Sequence, residues 1–172
     1  PCFVDVNGDK LPDLVCSSPL GSLYWYPNVG KPGAPAFERG HLAQTYLGPG
    51  ARAYPADING DGKVDIIFGN IEGAVYLLFN RGAVTEPRWT EAMAKPRWMP
   101  PPSVNVPQYQ KGYMVDSFED NKGQISVGTY SAPTWADWNK DGIPDLVVGE
   151  GAYSANSVRV WINQGSKSKP VF

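Results

Sequence analysis

Three short stretches of the sequence carry acidic residues at a fixed spacing that suits metal binding. Each has the order Asp-x-Asn-x-Asp-x-x-x-Asp, and they run from Asp5 to Asp13, from Asp57 to Asp65 and from Asp137 to Asp145. Alternate residues of a tightly curled loop can turn their oxygens to one centre, and calcium takes about six to eight oxygen ligands. The stretches contain carboxylates and an amide but no His, which favours calcium over zinc or copper.

We expect one calcium ion in each loop, about three in all. The ligands would be the side chains at positions one, three, five and nine and the backbone carbonyl at position seven. An EF-hand is excluded, because position twelve is not Glu and β-type sequence follows each loop. We expect the ion to hold the loop in shape rather than to take part in catalysis. The predicted ligands are Asp5, Asn7, Asp9, Leu11 and Asp13; Asp57, Asn59, Asp61, Lys63 and Asp65; and Asp137, Asn139, Asp141, Ile143 and Asp145.

The loops belong to a longer internal repeat. The first loop recurs after 52 residues, and the same shift carries Gly21 to Gly73 and Asn28 to Asn80. A third copy begins at Asp137 and has three extra residues near 151–156. Further aligned positions are Gly30, Gly82 and Gly165; Pro35, Pro87 and Pro170; and Phe37, Trp89 and Phe172.

Each copy has the pattern of four short strands joined by turns. Val75 and Leu77 alternate with Tyr76 and Leu78, so both faces of that strand are apolar and the sheet should be covered on both sides. A four-stranded antiparallel unit of about 50 residues that stacks on its like is typical of a β-propeller blade. The sequence therefore predicts an all-β fold of three four-stranded propeller blades. In the second copy the strands are expected at about 52–56, 66–69, 74–79 and 88–92.

The repeat divides the chain into four predicted parts. These are blade one at 1–44, blade two at 45–92, an insertion or long loop at 93–132, and blade three at 133–172. A propeller closes with about four to eight blades. We therefore expect the rest of a larger propeller, in missing sequence or in another chain, to complete the ring.

The three loops resemble those of the FG-GAP/VCBS repeat family, the calcium-loop blades of integrin-α-like and many secreted bacterial propellers. The segments with the pattern Asn-x-Gly-x4-Pro-x-aromatic, such as Asn28 to Phe37, are similar to the family as well. The resemblance implies that each loop joins the first two strands of a blade. It does not imply one activity, because this fold serves adhesion, lectin and enzyme roles alike.

The leading hypothesis for function is a binding or adhesion module of a secreted or cell-surface protein, with a glycan or protein ligand. Trp98, Tyr109 and Tyr113 in the insertion are the candidates for ligand contact. The alternatives are the propeller part of a lyase-like, polysaccharide-processing enzyme and a structural spacer in an extracellular assembly. Catalysis is less favoured, because His41 is the only histidine and no catalytic Ser or Cys motif accompanies it.

Cys2 and Cys16 are placed symmetrically about the first loop. On a hairpin they would face each other across adjacent strands, which predicts a disulfide and fits an oxidising exterior. The alternative is two separate thiols in a sheet, since a shift of one residue in the strand register forbids the bond.

Composition and charge exclude other classes of partner. Nine of the 17 acidic residues lie in the three loops, so the formal charge of −2 would become +4 with three bound divalent ions. No basic stripe of the kind that binds nucleic acid is present, and no stretch approaches the roughly 18 apolar residues of a membrane span. The sequence starts at Pro1 without a Met or a signal-like segment, so we expect a mature or excised piece of a longer protein.

Overall fold

The computed structural model describes residues 1–44, 47–89, 116–117, 119–120, 123–151 and 156–172. Within these ranges the regular structure is all β, and no helix there is long and apolar enough to cross a membrane. The strands are β1 (Cys2–Val4), β2 (Asp13–Ser17), β3 (Leu23–Tyr26), β4 (His41–Gln44), β5 (Arg52–Ala56), β6 (Asp65–Gly69), β7 (Val75–Leu78), β8 (Asp116–Ser117), β9 (Glu119–Asp120), β10 (Gly123–Gln124), β11 (Ala132–Ala136), β12 (Asp145–Gly151) and β13 (Asn156–Trp161).

The strands form three main antiparallel sheets that follow the order of the chain. The first sheet has the order β1-β2-β3-β4, the second β5-β6-β7-β8 and the third β11-β12-β13, while β9 and β10 form a separate pair. The prediction of an all-β chain of antiparallel repeats is confirmed. The third sheet has three strands instead of the predicted four.

The fourth strand of the second sheet differs from the prediction. A strand was expected at 88–92, but residues 88 and 89 lie outside any strand, and the rest of that range is outside the described residues. The edge beside β7 is taken by β8 instead. Since β8 belongs to the segment 93–132, the predicted insertion contributes a strand to the second sheet.

Two apolar clusters fill the spaces between the three sheets. All of β6 and β7 is buried, so the middle sheet is covered on both faces as the alternation predicted. The neighbouring sheets contact it through their first strands: β1 and β2 contact β5, and β11 contacts β5 and β6. The three sheets do not close into a ring. The first cluster includes Val15, Leu23, Ile66, Phe68 and Tyr76, and the second includes Ile67, Val75, Trp135, Leu146 and Val148.

The segments between units dock on a glycine turn of the preceding unit. The backbone N–H of Leu47 donates to the carbonyl of Gly21, and that of Val127 donates to the carbonyl of Gly73. Both glycines have positive φ angles, +87° and +86°, which residues with a Cβ rarely adopt. This contact explains why glycine recurs at the turn in the first two copies.

The predicted disulfide is wrong in this structure, because the strand register differs by one residue. Cys2 lies opposite Val15 in the β1–β2 pair, and both cysteines are free thiols. Neighbouring residues of a strand point to opposite faces of the sheet. Cys2 therefore shares a face with Val15, where its thiol lies 3.7 Å from the carbonyl oxygen of Ala53, and Cys16 is on the other face.

Candidate functional site

The first acidic loop joins β1 to β2 and is shaped by its own carboxylate groups. One oxygen of Asp5 accepts the backbone N–H groups of Gly8 (2.7 Å) and Asp9 (3.1 Å). The other oxygen accepts the N–H of Lys10 (2.8 Å), which has a φ of +71°. Asp side chains that bond to following backbone N–H groups stabilise tight turns of this kind.

The third and fifth positions of this loop are joined directly. Asn7 Oδ1 accepts the backbone N–H of Asp9, and Asn7 Nδ2 donates to Asp9 Oδ2, both over 3.0 Å. The backbone N–H of Leu11 donates to the other oxygen of Asp9 (2.8 Å). The structure thus brings together the predicted ligands Asp5, Asn7 and Asp9.

The second and third loops repeat this pattern. In each, position one accepts the N–H groups of positions five and six, the Asn at position three pairs with the Asp at position five, and position seven donates its N–H to position five. Because the bonds recur at three places, we attribute the loop shape to the shared motif. The residues are Asp57, Asn59, Asp61 and Lys63 in the second loop, and Asp137, Asn139, Asp141 and Ile143 in the third.

The ninth position of each loop is buried and bonds to backbone on both sides. One oxygen of Asp13 accepts the N–H of Val6 (3.0 Å), and the other accepts that of Asn28 (2.8 Å). This carboxylate therefore ties the start of the loop to the turn after β3. The equivalent bonds join Asp65 to Ile58 and Asn80, and Asp145 to Trp138 and Asn163.

Asn28, which the sequence marks only as an aligned position of the repeat, also supports this loop. Its Oδ1 accepts the N–H groups of Gly30 and Ala36, both over 3.1 Å, and closes the turn that precedes Phe37. Its Nδ2 donates to the carbonyl of Pro12 (3.0 Å). The feature of the sequence that could have predicted this role is spacing. Asn28 follows the ninth Asp of its loop by 15 residues, and the second copy repeats this distance.

Lys63 gives the second loop a positive charge of its own. Its Nζ lies 3.1 Å from Asp61 Oδ2 and donates to the carbonyls of Asn80 (2.9 Å) and Gly82 (3.3 Å). Partial burial acts to raise the pKa of Asp61, but hydrogen bonds from Lys63 and Asn59 outweigh it, and the pKa is lowered. Asp61 is therefore held in its ionised form.

The pKa of Asp65 is shifted in the opposite direction to that of Asp61. Burial raises the pKa of Asp65 to about 6, although the backbone N–H groups of Asn80 and Ile58 act to lower it. The charges of Asp61 and Asp57 add a smaller rise. Burial of this ninth carboxylate therefore makes its charged form less favourable.

The donor chemistry of the loops fits a hard cation. Every side-chain donor is a carboxylate or amide oxygen, and two carboxylates and one amide lie together in each loop. The third carboxylate is directed to backbone N–H groups, and among the described residues no three His, Cys, Asp or Glu side chains form a metal-ligand group. Within that same part of the chain, Asp61 is the only loop carboxylate with an ion pair.

A cleft between the first sheet and the segment 85–89 is lined by aromatic and charged side chains. The Trp25 ring lies 5.4 Å from that of His41 and meets that of Trp89 edge-on at 6.5 Å. Glu38 and Glu86 line the same cleft. The Nε1 of Trp25 is buried and has no hydrogen-bond partner among the described residues.

The predicted ligand-contact residues Trp98, Tyr109 and Tyr113 lie outside the described residues and stay predictions. Asn7 of the first loop also lines the cleft. The cleft and the first acidic loop are therefore neighbours on the molecule.

Comparison with protein-family models matches residues 5–68 to the FG-GAP-like repeat. That range runs from the first Asp of the first loop into β6 and contains the first two loops. No curated protein and no solved structure matches the chain. This match confirms the resemblance to FG-GAP-like repeats that the acidic loops indicated.

Proposed function

We propose that this chain is a calcium-stabilised β-propeller module of a secreted or cell-surface protein, with a binding or adhesion role toward a glycan or protein ligand. The observation that carries the calcium site is the loop that recurs three times with two carboxylates and an amide held together. In the first and third loops no described cation neutralises these carboxylates. Like charges at short range repel, and a divalent cation between them removes that cost.

Asp5, Asn7 and Asp9 and their counterparts would hold the ion, with the backbone carbonyl at position seven and the ninth Asp completing the set. The ion would fix the loop between the first two strands of each blade. Extracellular calcium modules bind with dissociation constants of about 0.1 to 1 mM. We propose that these loops bind calcium in this range, as a secreted or cell-surface module requires.

Calcium removal tests the metal site. A ligand that binds only the folded state adds about 2.7 kcal/mol per site at a hundredfold excess over its dissociation constant. We expect the melting temperature to fall when calcium is chelated, and we expect calorimetric titration to give about three sites. Asp141→Asn should remove one site, since the third loop loses a carboxylate.

Glu86→Gln is the matched control, because it removes an exposed carboxylate outside the loops. It should leave the number of sites unchanged. A melting curve that is the same in calcium and in chelator, together with no heat of calcium binding, would contradict the proposal.

The cleft beside Trp25 supports the binding role. Carboxylates such as Glu38 can accept hydrogen bonds from hydroxyl groups, and the neighbouring rings give an apolar wall. A polar ligand with hydroxyl groups, such as a glycan, fits these groups.

A glycan array probed with the labelled chain, with and without chelator, tests this role. Glu38→Gln keeps the shape of a side chain that lines the cleft but removes its charge, and it should weaken binding of the best glycan about tenfold, or about 1.4 kcal/mol. Trp138→Phe is the control, since Trp138 is exposed and outside the cleft. Equal binding by both variants would place the ligand elsewhere.

A further inference from the structure

The first acidic loop and the aromatic cleft share a side chain. Among the described residues, Asn7 is the one predicted calcium ligand that also lines the cleft. The rest of the lining includes Trp25 and His41 on one side and the segment 85–89 on the other. A change in the conformation of the loop therefore reaches the cleft directly at Asn7.

Asn7 holds Asp9 with both ends of its amide group. Its Oδ1 accepts the backbone N–H of Asp9, and its Nδ2 donates to Asp9 Oδ2, both over 3.0 Å. The two side-chain oxygens, Asn7 Oδ1 and Asp9 Oδ2, are of the kind that binds calcium. A cation therefore competes with these hydrogen bonds. An amide that turns its oxygen to a cation turns its N–H donors the other way, which changes the donors that Asn7 offers to the cleft.

The tip of the loop also touches the segment that forms the opposite wall. A Cβ added at Gly8 would lie 2.8 Å from Val84 Cγ1, so the loop backbone packs closely against that side chain. Val84 directly precedes the segment 85–89. Closely packed groups transmit displacements, so the position of the loop tip influences the position of this wall.

Hydrogen bonds hold the turn that carries Val84 together with the cleft wall. The backbone N–H of Arg81 donates to the carbonyl of Arg88 (2.9 Å). Asn80 Oδ1 accepts the backbone N–H of Arg88 (2.9 Å). A displacement of Val84 is therefore carried to the wall and changes its distance from Trp25.

The second and third loops do not have this connection within the described part of the chain. Neither Asn59 nor Asn139 lines the cleft. The glycine of the second loop that matches Gly8 is Gly60, and its nearest neighbour is Ser168 of the third unit. The link between loop and cleft is thus particular to the first loop.

We propose that calcium in the first loop controls the affinity of the cleft for its ligand. The proposal rests on the calcium sites and the glycan role proposed above and names the loop that regulates the cleft. An occupied loop fixes Asn7 and, through Val84, the opposite wall, so the ligand loses less conformational entropy on ordering the cleft. Coupling between two sites is reciprocal and typically about five- to 150-fold, so we expect calcium to tighten glycan binding at least about fivefold.

His41 provides a measurement in the cleft that needs no ligand. It is the only histidine of the chain, and its ring lies 5.4 Å from that of Trp25. The histidine ring signals of a proton–carbon NMR spectrum therefore come from one residue of the cleft. At one fixed pH, calcium added to about 10 mM should shift these signals, because this is about tenfold above the weakest dissociation constant expected for such loops.

Asp9→Asn and Asp141→Asn form a matched pair, since each removes one carboxylate from one loop. Asp9→Asn should abolish the calcium-dependent shift of His41, and Asp141→Asn should keep it. Both side chains are exposed, so both variants should fold, which circular dichroism can verify. On the array, the glycans that Glu38→Gln weakens should bind about fivefold less tightly in chelator to the unaltered chain and to Asp141→Asn. Asp9→Asn should bind them equally weakly with and without calcium.

Two results overturn the coupling and leave the calcium sites in place. The first is a His41 signal that is the same in calcium and in chelator while calorimetry detects calcium binding. The second is a shift that Asp9→Asn and Asp141→Asn retain alike, because the first loop is then not its source.

Failure of the proposed function gives different results. No heat of calcium binding contradicts the calcium sites themselves. A calcium-dependent His41 signal with an array on which no glycan binds supports the link between loop and cleft and contradicts the glycan as its ligand.

Discussion

Lys63 is a cation that the second acidic loop carries within itself. Its ammonium group pairs with Asp61 and also bonds to two carbonyls of the turn that begins at Asn80. Calcium entering this loop must compete with that ammonium group for Asp61. We therefore expect the second loop to bind calcium less tightly than the third.

Replacing Lys63 tests this competition. Lys63→Met removes the charge but keeps the backbone carbonyl of position seven, and it should tighten calcium binding to one site about tenfold, or about 1.4 kcal/mol. Calorimetric titration measures the change. Lys140→Met, which removes a lysine without an ion pair among the described residues, should have a smaller effect. A tightening of equal size in both variants would show that only the net charge matters.

The buried carboxylate of Asp65 gives the calcium-free chain a pH dependence. Its pKa is about 6 in the fold against an ordinary value of 3.8, so the fold keeps this proton where the unfolded chain has lost it. Asp65 therefore adds at most about 3 kcal/mol to the free energy of unfolding. This contribution is complete below about pH 4 and is lost as the pH rises through about 6.

Urea unfolding in chelator at pH 4 and pH 7 measures this loss. The unfolding free energy of the unaltered chain should decrease more over this interval than that of Asp65→Asn, because the variant has no proton to lose there. Other carboxylates affect both proteins alike, so the difference isolates Asp65. The same pH dependence in both would contradict the expected role of burial.

At the residue scale, the sequence predicted which groups come together but not how each bonds. Spacing was enough for Asp5, Asn7 and Asp9, because local turns bring them close. The role of Trp89 depends on contacts across the fold: its Nε1 donates to the carbonyl of Val64, and Asn80 Nδ2 is left without a partner. In the first and third copies the aligned Asn donates to the carbonyl at the aligned position.

The glycine turns are the elements that connect one unit to the next. Gly73 has a φ of +86°, and an added Cβ would collide with the backbone carbonyl of Val127. That carbonyl belongs to the segment leading into β11 and cannot move without disturbing the third sheet. Gly33 has a similar φ of +81°, but nothing lies within 4 Å of an added Cβ.

Alanine at each of these two glycines separates the backbone strain of a positive φ from the collision of the added Cβ with the Val127 carbonyl. Gly33→Ala should cost about 1–2 kcal/mol for the left-handed backbone alone. Gly73→Ala should cost about 2–5 kcal/mol, since overpacking adds about 1–3 kcal/mol to the same strain. Chemical denaturation measures both values. Equal costs would mean that the turn moves aside without loss.

Strand pairing was predictable only where local pattern decides it. The strands before and after each loop follow from alternation and from the loop itself, and β5 matches its predicted bounds of 52–56. The fourth strand of the second sheet was not predictable, because β8 comes from a distant part of the chain. The register of Cys2 against Val15 likewise depends on the loop conformation, and a difference of one residue separates the two thiols.

At the scale of the molecule, the position of a sheet in the stack decides how much an aligned residue of the repeat contributes to the free energy of unfolding. Val75 and Val158 occupy aligned positions in the second and third copies and both belong to strands. Val75 is 0% exposed because the third sheet covers it, whereas Val158 is 65% exposed. The sequence alone could not separate them, since both are valines in equivalent strands.

Alanine at both positions measures this effect of stacking on the free energy of unfolding. Val75→Ala should cost about 1.5–3 kcal/mol, the contribution of a fully buried valine. Val158→Ala should change the free energy of unfolding by at most about 0.5 kcal/mol in dilute solution, as an exposed substitution does. Equal costs in dilute solution would mean that Val158 is already covered within the single chain.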